Sequence, residues 1–137
     1  MRLVDDVISR YHVNPHRVFL TGISMGGAGT FSIGSSYPER FAALAPICGW
    51  ASPHMAAALS RIPMYIAHGD NDKVIAADRS RAAALTIRNA GNAKVELRIL
   101  IGANPAGYAE LVGHDSWTQT YGDPKFWVWM NSQKNSR

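Results

Sequence analysis

The chain has 137 residues, about the length of one ordinary domain, so it has no room for separate cofactor and substrate domains. Hydrophobic residues make up 47% of it and charged residues 18%, a composition typical of globular rather than disordered proteins. The formal net charge is +4, but the basic residues are scattered and not interleaved with aromatic ones, which argues against a nucleic-acid partner. We therefore expect a single domain over residues 1–137.

Cysteine content and hydropathy restrict the class of protein further. Cys48 is the only cysteine, so the chain can form neither an intramolecular disulfide nor a Cys-only metal site. No stretch approaches the roughly 18 apolar residues of a membrane helix, and Asp5 and Asp6 stand where a signal peptide would carry its apolar segment. We expect a soluble chain with no membrane partner, cytoplasmic by default.

The first third of the chain predicts a helix, a strand and a second helix. Residues 2–12 place their apolar side chains on one helical face, and Asn14-Pro15 ends that pattern. The short apolar run 17–21 is typical of a strand covered on both faces. A glycine-rich helical segment follows from 22 to 34 and stops at Tyr37-Pro38.

The rest of the chain continues the alternation. Apolar runs at 41–48 and 63–67 predict two more buried strands with a short helix between them, and residues 76–90 predict a helix ended by a glycine. Residues 94–101 alternate polar with apolar, which indicates an edge strand, and a loop at 102–113 precedes a last helix that begins at Asp123-Pro124. A loop of this length is uncommon unless it carries function.

The element order favours one fold class. Helices and strands alternate throughout, and right-handed crossovers between parallel strands are the economical solution for that order. We predict an open parallel sheet of about four strands with flanking helices.

Residues 22–26 read Gly-Ile-Ser-Met-Gly, which fits the GxSxG pattern and lies between a predicted strand and a predicted helix. In such a strand-to-helix turn the serine is strained, and the glycines two before and two after it would remove colliding side chains. Ser24 is therefore a candidate nucleophile. The backbone N–H of Met25, at the positive end of the helix, is a candidate oxyanion donor.

A serine nucleophile requires a histidine base and a carboxylate, in this fold in the chain order Ser, acid, His. His114 follows the long loop, and both Asp70 and Asp72 follow the third predicted strand, so all lie at carboxyl ends of strands, where crevices form in a parallel sheet. The residues alone leave Asp70 as a minor rival to Asp72. His68 is interpreted as a structural residue at the end of its strand.

At this point the sequence resembles the α/β-hydrolases, and among them the poly(hydroxyalkanoate)-depolymerase-like and feruloyl-esterase-like carboxylesterases. The resemblance rests on residues 14–27, 40–43 with 46–49, 68–72 and 114–117. It implies Ser24 as nucleophile, Asp72 as the acid that ends an HGxxD pattern, His114 as base, and hydrolysis of short-chain or aryl carboxylic esters through an acyl-enzyme.

The resemblance also implies that the chain matches the C-terminal half of the fold. Such enzymes usually begin with several strands and a loop that supplies a second oxyanion donor, and nothing here matches them. The strand at 17–21 would then have an open edge, so we expect a homo-oligomer, most simply a dimer through this edge or through exchanged segments. The rival interpretation is an inert hydrolase fragment that acts as a binding module.

Two further sets of residues have alternative interpretations. His68, Asp70, Asp72, His114 and Asp115 contain metal-ligand types, but their spacing matches no metal signature, so we expect neither a metal nor another cofactor. Asp115 is expected to cap the turn after His114. Aromatic side chains at the catalytic edge are candidates for lining an acyl or aryl pocket: Trp50, Tyr108 and Trp117, the last equally suited to core packing.

Overall fold

The computed structural model describes residues 1–104 and 107–135, so residues 105 and 106 of the predicted loop lie outside it. Four parallel strands form one sheet, as predicted, and their order in it is β1-β2-β3-β4. The strands are β1 (Phe19–Ile23), β2 (Ala43–Ile47), β3 (Met64–Gly69) and β4 (Val95–Leu100). Their carboxyl ends therefore lie along one edge of the sheet.

Six α-helices connect and cover the strands in the described part of the chain. They are α1 (Arg2–Tyr11), α2 (Met25–Ser36), α3 (Ala56–Leu59), α4 (Asp78–Asn89), α5 (Trp117–Gly122) and α6 (Pro124–Ser132). Three 3₁₀ turns, Pro15–Arg17, Pro53–Met55 and Ala109–Leu111, join them.

Several boundaries differ from the sequence prediction, and one helix was missed. The helical segment expected from residue 22 begins at Met25, because residues 22 and 23 belong to β1. The first strand begins at Phe19 rather than at residue 17, because the side chain of Asn14 accepts the N–H of His16 and starts a 3₁₀ turn in front of it. The helix α5 was not predicted. Asp115 lies just before this helix, and its carboxylate accepts both the N–H and the hydroxyl of Thr118. The capping role expected of Asp115 is therefore observed at the start of α5.

Two hydrophobic clusters cover the two faces of the sheet. Alternate side chains of β2 and β3 point to opposite faces, as the period of a strand requires. Leu44 and Ile66 pack against α2, α3 and α4, whereas Ile47 and Tyr65 pack against α6. The two central strands, β2 and β3, are thus covered by a hydrophobic core on each face.

The two outer strands are β4, as the alternation predicted, and β1. In the described residues β1 pairs only with β2, and within it Thr21 and Ile23 are exposed. Thr21 also bonds Tyr121 of α5 through its hydroxyl at 2.7 Å.

The amphipathic helix α1 is only partly covered. No residue in it is buried; Val4 and Ile8 are half-buried, whereas Leu3 and Tyr11 are 76% and 70% exposed. No described helix is long and apolar enough to cross a membrane.

Candidate active site

Ser24 lies in the single-residue turn between β1 and α2. Its φ of 54° and ψ of −117° are rarely adopted by L-residues, and its N–H is held by the carbonyl of Ile47 at 2.9 Å. A side chain on Gly22 would collide with the backbone of Gly26, so the first glycine of the motif is required sterically. A side chain on Gly26 would meet nothing within 4 Å, so the expected requirement for the second glycine is not found.

A chain of hydrogen bonds joins Ser24, His114 and Asp72, although 90 residues separate the first two. The distance is 3.1 Å from Ser24 Oγ to His114 Nε2, and 2.7 Å from His114 Nδ1 to Asp72 Oδ2. A carboxylate only accepts, so Nδ1 carries the proton and donates it to Asp72. The bare Nε2 is then the acceptor for the hydroxyl of Ser24.

The carboxylate of Asp72 is buried and accepts several hydrogen bonds. Its Oδ1 accepts the backbone N–H groups of Val74 and Ile75 at 2.8 and 2.9 Å. Burial by itself raises the pKa of this carboxyl, but the hydrogen bonds from His114, Ile75 and Val74 outweigh it and hold the pKa below its ordinary value. Asp72 is therefore an anion at neutral pH.

The loop that carries His114 is fastened to the end of β3. The N–H of Gly113 donates to the carbonyl of Ala103 at 2.7 Å, and the backbone of Gly113 passes so close to Gly69 that a side chain on Gly69 would collide with its carbonyl. Both ends of the loop are thus anchored, and His114 itself is only 5% exposed.

Two groups beside Ser24 bear on its chemistry. The N–H of Met25 has no backbone acceptor among the described residues and stands at the first position of α2. An N–H at such a helix start can stabilise a negative oxygen. Cys48 packs its Sγ 3.3 Å from the N–H of Ser24, and burial raises the pKa of this thiol to about 11. It is therefore a protonated packing group at neutral pH.

The three aromatic candidates differ in their positions. Trp50 lines an open cleft of about 680 Å³ next to the acid. Trp117 packs against the hydrophobic cluster that contains Tyr65. Its ring also meets the His114 ring edge to face, with centroids 5.4 Å apart, so it supports the base. Tyr108 is 58% exposed and does not line this cleft. The cleft is formed by Trp50, Asp72, Lys73, Val74, Ile75, Ala76 and Arg79.

Two candidates remain, Asp70 and His68. Asp70 lies apart from the hydrogen bonds that join Ser24, His114 and Asp72, whereas His68 contacts Asp72. Asp70 is exposed and accepts only the N–H of Gly102, at 3.2 Å, so the geometry favours Asp72 over it. His68 is fully buried and contacts Asp72 directly, a contact that sequence reasoning missed. Its position as the first residue of the HGxxD pattern was the available signal. No described group of three His, Cys, Asp or Glu side chains is arranged to hold a metal ion.

Known proteins share this sequence in part. A bifunctional acetylxylan esterase/xylanase of Neocallimastix patriciarum is 32% identical over 74 residues, which are 54% of this chain and 11% of that protein. A poly(3-hydroxyalkanoate) depolymerase of Paucimonas lemoignei is 38% identical over 48 residues, 35% of this chain and 12% of that protein. The chain thus spans about a tenth of the length of these curated relatives.

Solved structures share the fold. The crystal structure of a thermostable esterase superposes with a TM-score of 0.88 and 27% identity over 97% of this chain and 35% of the esterase. The α/β-hydrolase fold expected from the sequence is therefore confirmed. The sequence model of the dienelactone hydrolase family matches residues 2–109, and the chain belongs to that family.

Proposed function

We propose that this chain hydrolyses carboxylic esters with Ser24 as nucleophile, His114 as general base and Asp72 as the acid that orients it. The observation that carries the proposal is the unbroken chain of hydrogen bonds from Ser24 through His114 to the buried carboxylate. This arrangement is the one that activates a hydroxyl, which by itself is a poor nucleophile at neutral pH.

In the first half of the reaction the Ser24 oxygen bonds to the ester carbonyl carbon while its proton passes to Nε2 of His114. The bond to the alcohol oxygen then breaks, and the same nitrogen returns the proton to the leaving alcohol. In the second half, water takes the place of the alcohol: His114 removes its proton, the acid is released, and Ser24 recovers its hydrogen. The anionic Asp72 stabilises the imidazolium in both halves.

The substrate proposed is a small ester with a short acyl or an aryl group. An ester is preferred to an amide because an alkoxide leaves more readily than an amine. The N–H of Met25 supplies one donor to the oxyanion. The open cleft next to Asp72 offers the substrate both apolar contacts, from Trp50 and Val74, and charged ones, from Lys73 and Arg79. The acetylxylan esterase named among the relatives supports a short acyl group.

The test is turnover of 4-nitrophenyl acetate by the purified chain, together with labelling by a serine-directed phosphonate. Ser24→Ala removes one hydroxyl and should lower kcat by about 10⁴-fold or more while the fold is retained. Ser32→Ala is the matched control, because Ser32 is an exposed serine within α2, the helix that follows Ser24. Labelling should fall on the peptide that contains Ser24. Absence of turnover and of labelling in the unmodified chain would instead favour the inert binding module.

A further inference from the structure

His68 is a buried histidine that the proposed reaction does not use. It lies in β3, four residues before the acid, and is 0% exposed. A polar ring is costly to bury unless its nitrogens find partners. Both nitrogens of His68 do, and one of the partners is Asp72.

The partners fix where the His68 proton sits. Nε2 lies 2.8 Å from the carbonyl oxygen of Ile75 and 3.1 Å from Oδ2 of Asp72. Both of these oxygens only accept, so Nε2 must carry a hydrogen and donate it. Nδ1 lies 2.7 Å from the hydroxyl oxygen of Ser80.

Asp72 Oδ2 is therefore held between two imidazole N–H groups, one from His68 and one from His114. The other oxygen, Oδ1, is held by the two backbone N–H groups of the loop at Val74 and Ile75. His114 is the side chain that Asp72 has to orient, so the hydrogen bond from His114 cannot be what holds the carboxylate in place. The His68 donor is the remaining one on that oxygen.

His68 also connects the acid to rigid parts of the fold. Its backbone belongs to β3, which pairs with strands on both sides. Its Nδ1 partner, Ser80, lies in α4 and is also 3.1 Å from the carbonyl oxygen of Gly49, beyond the end of β2. The position of the Asp72 carboxylate is thereby fixed relative to the central strand β3, and not only by the exposed loop that carries it.

We propose that His68 is a positioning residue for the acid: its Nε2–H fixes Oδ2 of Asp72, and so holds His114 in line with Ser24. This inference rests on the proposed function for its catalytic consequence, but not for its structural one. The hydrogen bond between His114 and Asp72 exists whether or not the chain turns over an ester.

Two amide variants separate the two ring nitrogens. In His68→Gln the amide nitrogen reaches about as far as Nε2 and keeps a donor for Asp72. In His68→Asn it reaches only as far as Nδ1, so it keeps the Ser80 contact and loses the one to Asp72. Both variants introduce the same amide chemistry at the same buried position, so a residue that only fills space would respond to both alike.

The first readout is the downfield proton resonance of His114 Nδ1–H, assigned by its loss in His114→Gln. We expect it to stay in place in His68→Gln and to move, or be lost to exchange with solvent, in His68→Asn. The second readout is steady-state hydrolysis of 4-nitrophenyl acetate. His68→Asn should lower kcat by about 10- to 100-fold, the scale of a misplaced catalytic group, at nearly constant KM, and His68→Gln should restore most of it.

The outcomes discriminate between the two proposals. An unchanged resonance in folded His68→Asn, or equal changes in both variants, overturns the role of His68 even if the esterase activity is present. An unmodified chain that binds but does not turn over the ester contradicts the proposed function, while the resonance still decides the role of His68. Circular dichroism establishes that each variant is folded, and if His68→Asn does not fold, displacement of the resonance in folded His68→Gln overturns the proposal.

Discussion

Replacement of Asp72 by asparagine tests the candidate site at its most buried point. The two side chains have nearly the same shape, but asparagine presents one oxygen and one NH₂ group. The oxygen can keep the backbone donors of Val74 and Ile75, which then turns the NH₂ group toward the two imidazoles.

That arrangement has two consequences of known size. His114 must accept at Nδ1, so its Nε2 carries the proton and cannot take another from Ser24. The same exchange in a serine protease lowers kcat about 10⁴-fold, equivalent to about 5 kcal/mol of transition-state stabilisation. The second N–H of the amide also faces the N–H of His68, which keeps its bond to the carbonyl of Ile75. This buried amide donor is then left without an acceptor, which should lower the free energy of unfolding by about 1–3 kcal/mol.

Asp70→Asn is the matched control, since it makes the same chemical change two residues away at an exposed carboxylate. Hydrolysis of 4-nitrophenyl acetate gives the first effect, and urea unfolding followed by circular dichroism gives the second. We expect Asp70→Asn to be near the unmodified chain in both. Activity of Asp72→Asn within tenfold of the unmodified chain, or a larger loss in Asp70→Asn, would refute the assignment of the acid.

Three more predictions concern acid stability, thiol reactivity and assembly. Folding lowers the pKa of Asp72, so its contribution to stability is present above the ordinary carboxyl pKa of about 3.9 and is lost as the pH falls through the lower folded value. On acidification from neutral pH, the free energy of unfolding should therefore fall further in the unmodified chain than in Asp72→Asn. Parallel curves of the two would contradict this. Cys48, with a pKa of about 11, should carry roughly one thiolate per thousand molecules at pH 8 and react with iodoacetamide only after urea is added; rapid labelling of the folded chain would be inconsistent with its burial. The edge of β1 that faces no other described strand should pair with a second copy of this 137-residue chain, which could bring a further oxyanion donor. A fully active species that light scattering finds monomeric at every assay concentration would rule this out.

The sequence was sufficient for the order and type of the strands because each buried strand is a short apolar run bounded by turn residues. The serine motif predicted the position of Ser24 for the same local reason, since a strand and a helix flank it directly. The helix α5 was missed because it has only six residues, too few for an apolar period, and its start depends on the side chain of Asp115.

The parts of the site that the sequence left open depend on distances between segments far apart in the chain. The residues alone left Asp70 as a minor rival to Asp72. The packing of the loop turns Asp72 inward toward His114 and Asp70 toward solvent. The role of His68 depends on contacts with Ser80 and with the carbonyl of Ile75, which no spacing rule anticipates. Tyr108 was expected at the catalytic edge of the sheet, but its exposure could not be read from its position in the chain.

The loop before His114 joins two points that the fold holds in contact. The N–H of Gly113 bonds the carbonyl of Ala103, so the two ends of the loop are held together. The free-energy cost of closing such a loop rises only slowly with its length, by about 0.6 kcal/mol for each doubling. The carbonyl of Leu111, at the end of the 3₁₀ turn Ala109–Leu111, accepts the N–H of His114, so this turn has to be kept. Insertions or altered sequence before it, at residues 104–108, can be absorbed without displacing His114. Selection, or a laboratory library confined to residues 104–108, could change which ester the proposed hydrolase accepts while Ser24, His114 and Asp72 stay in place.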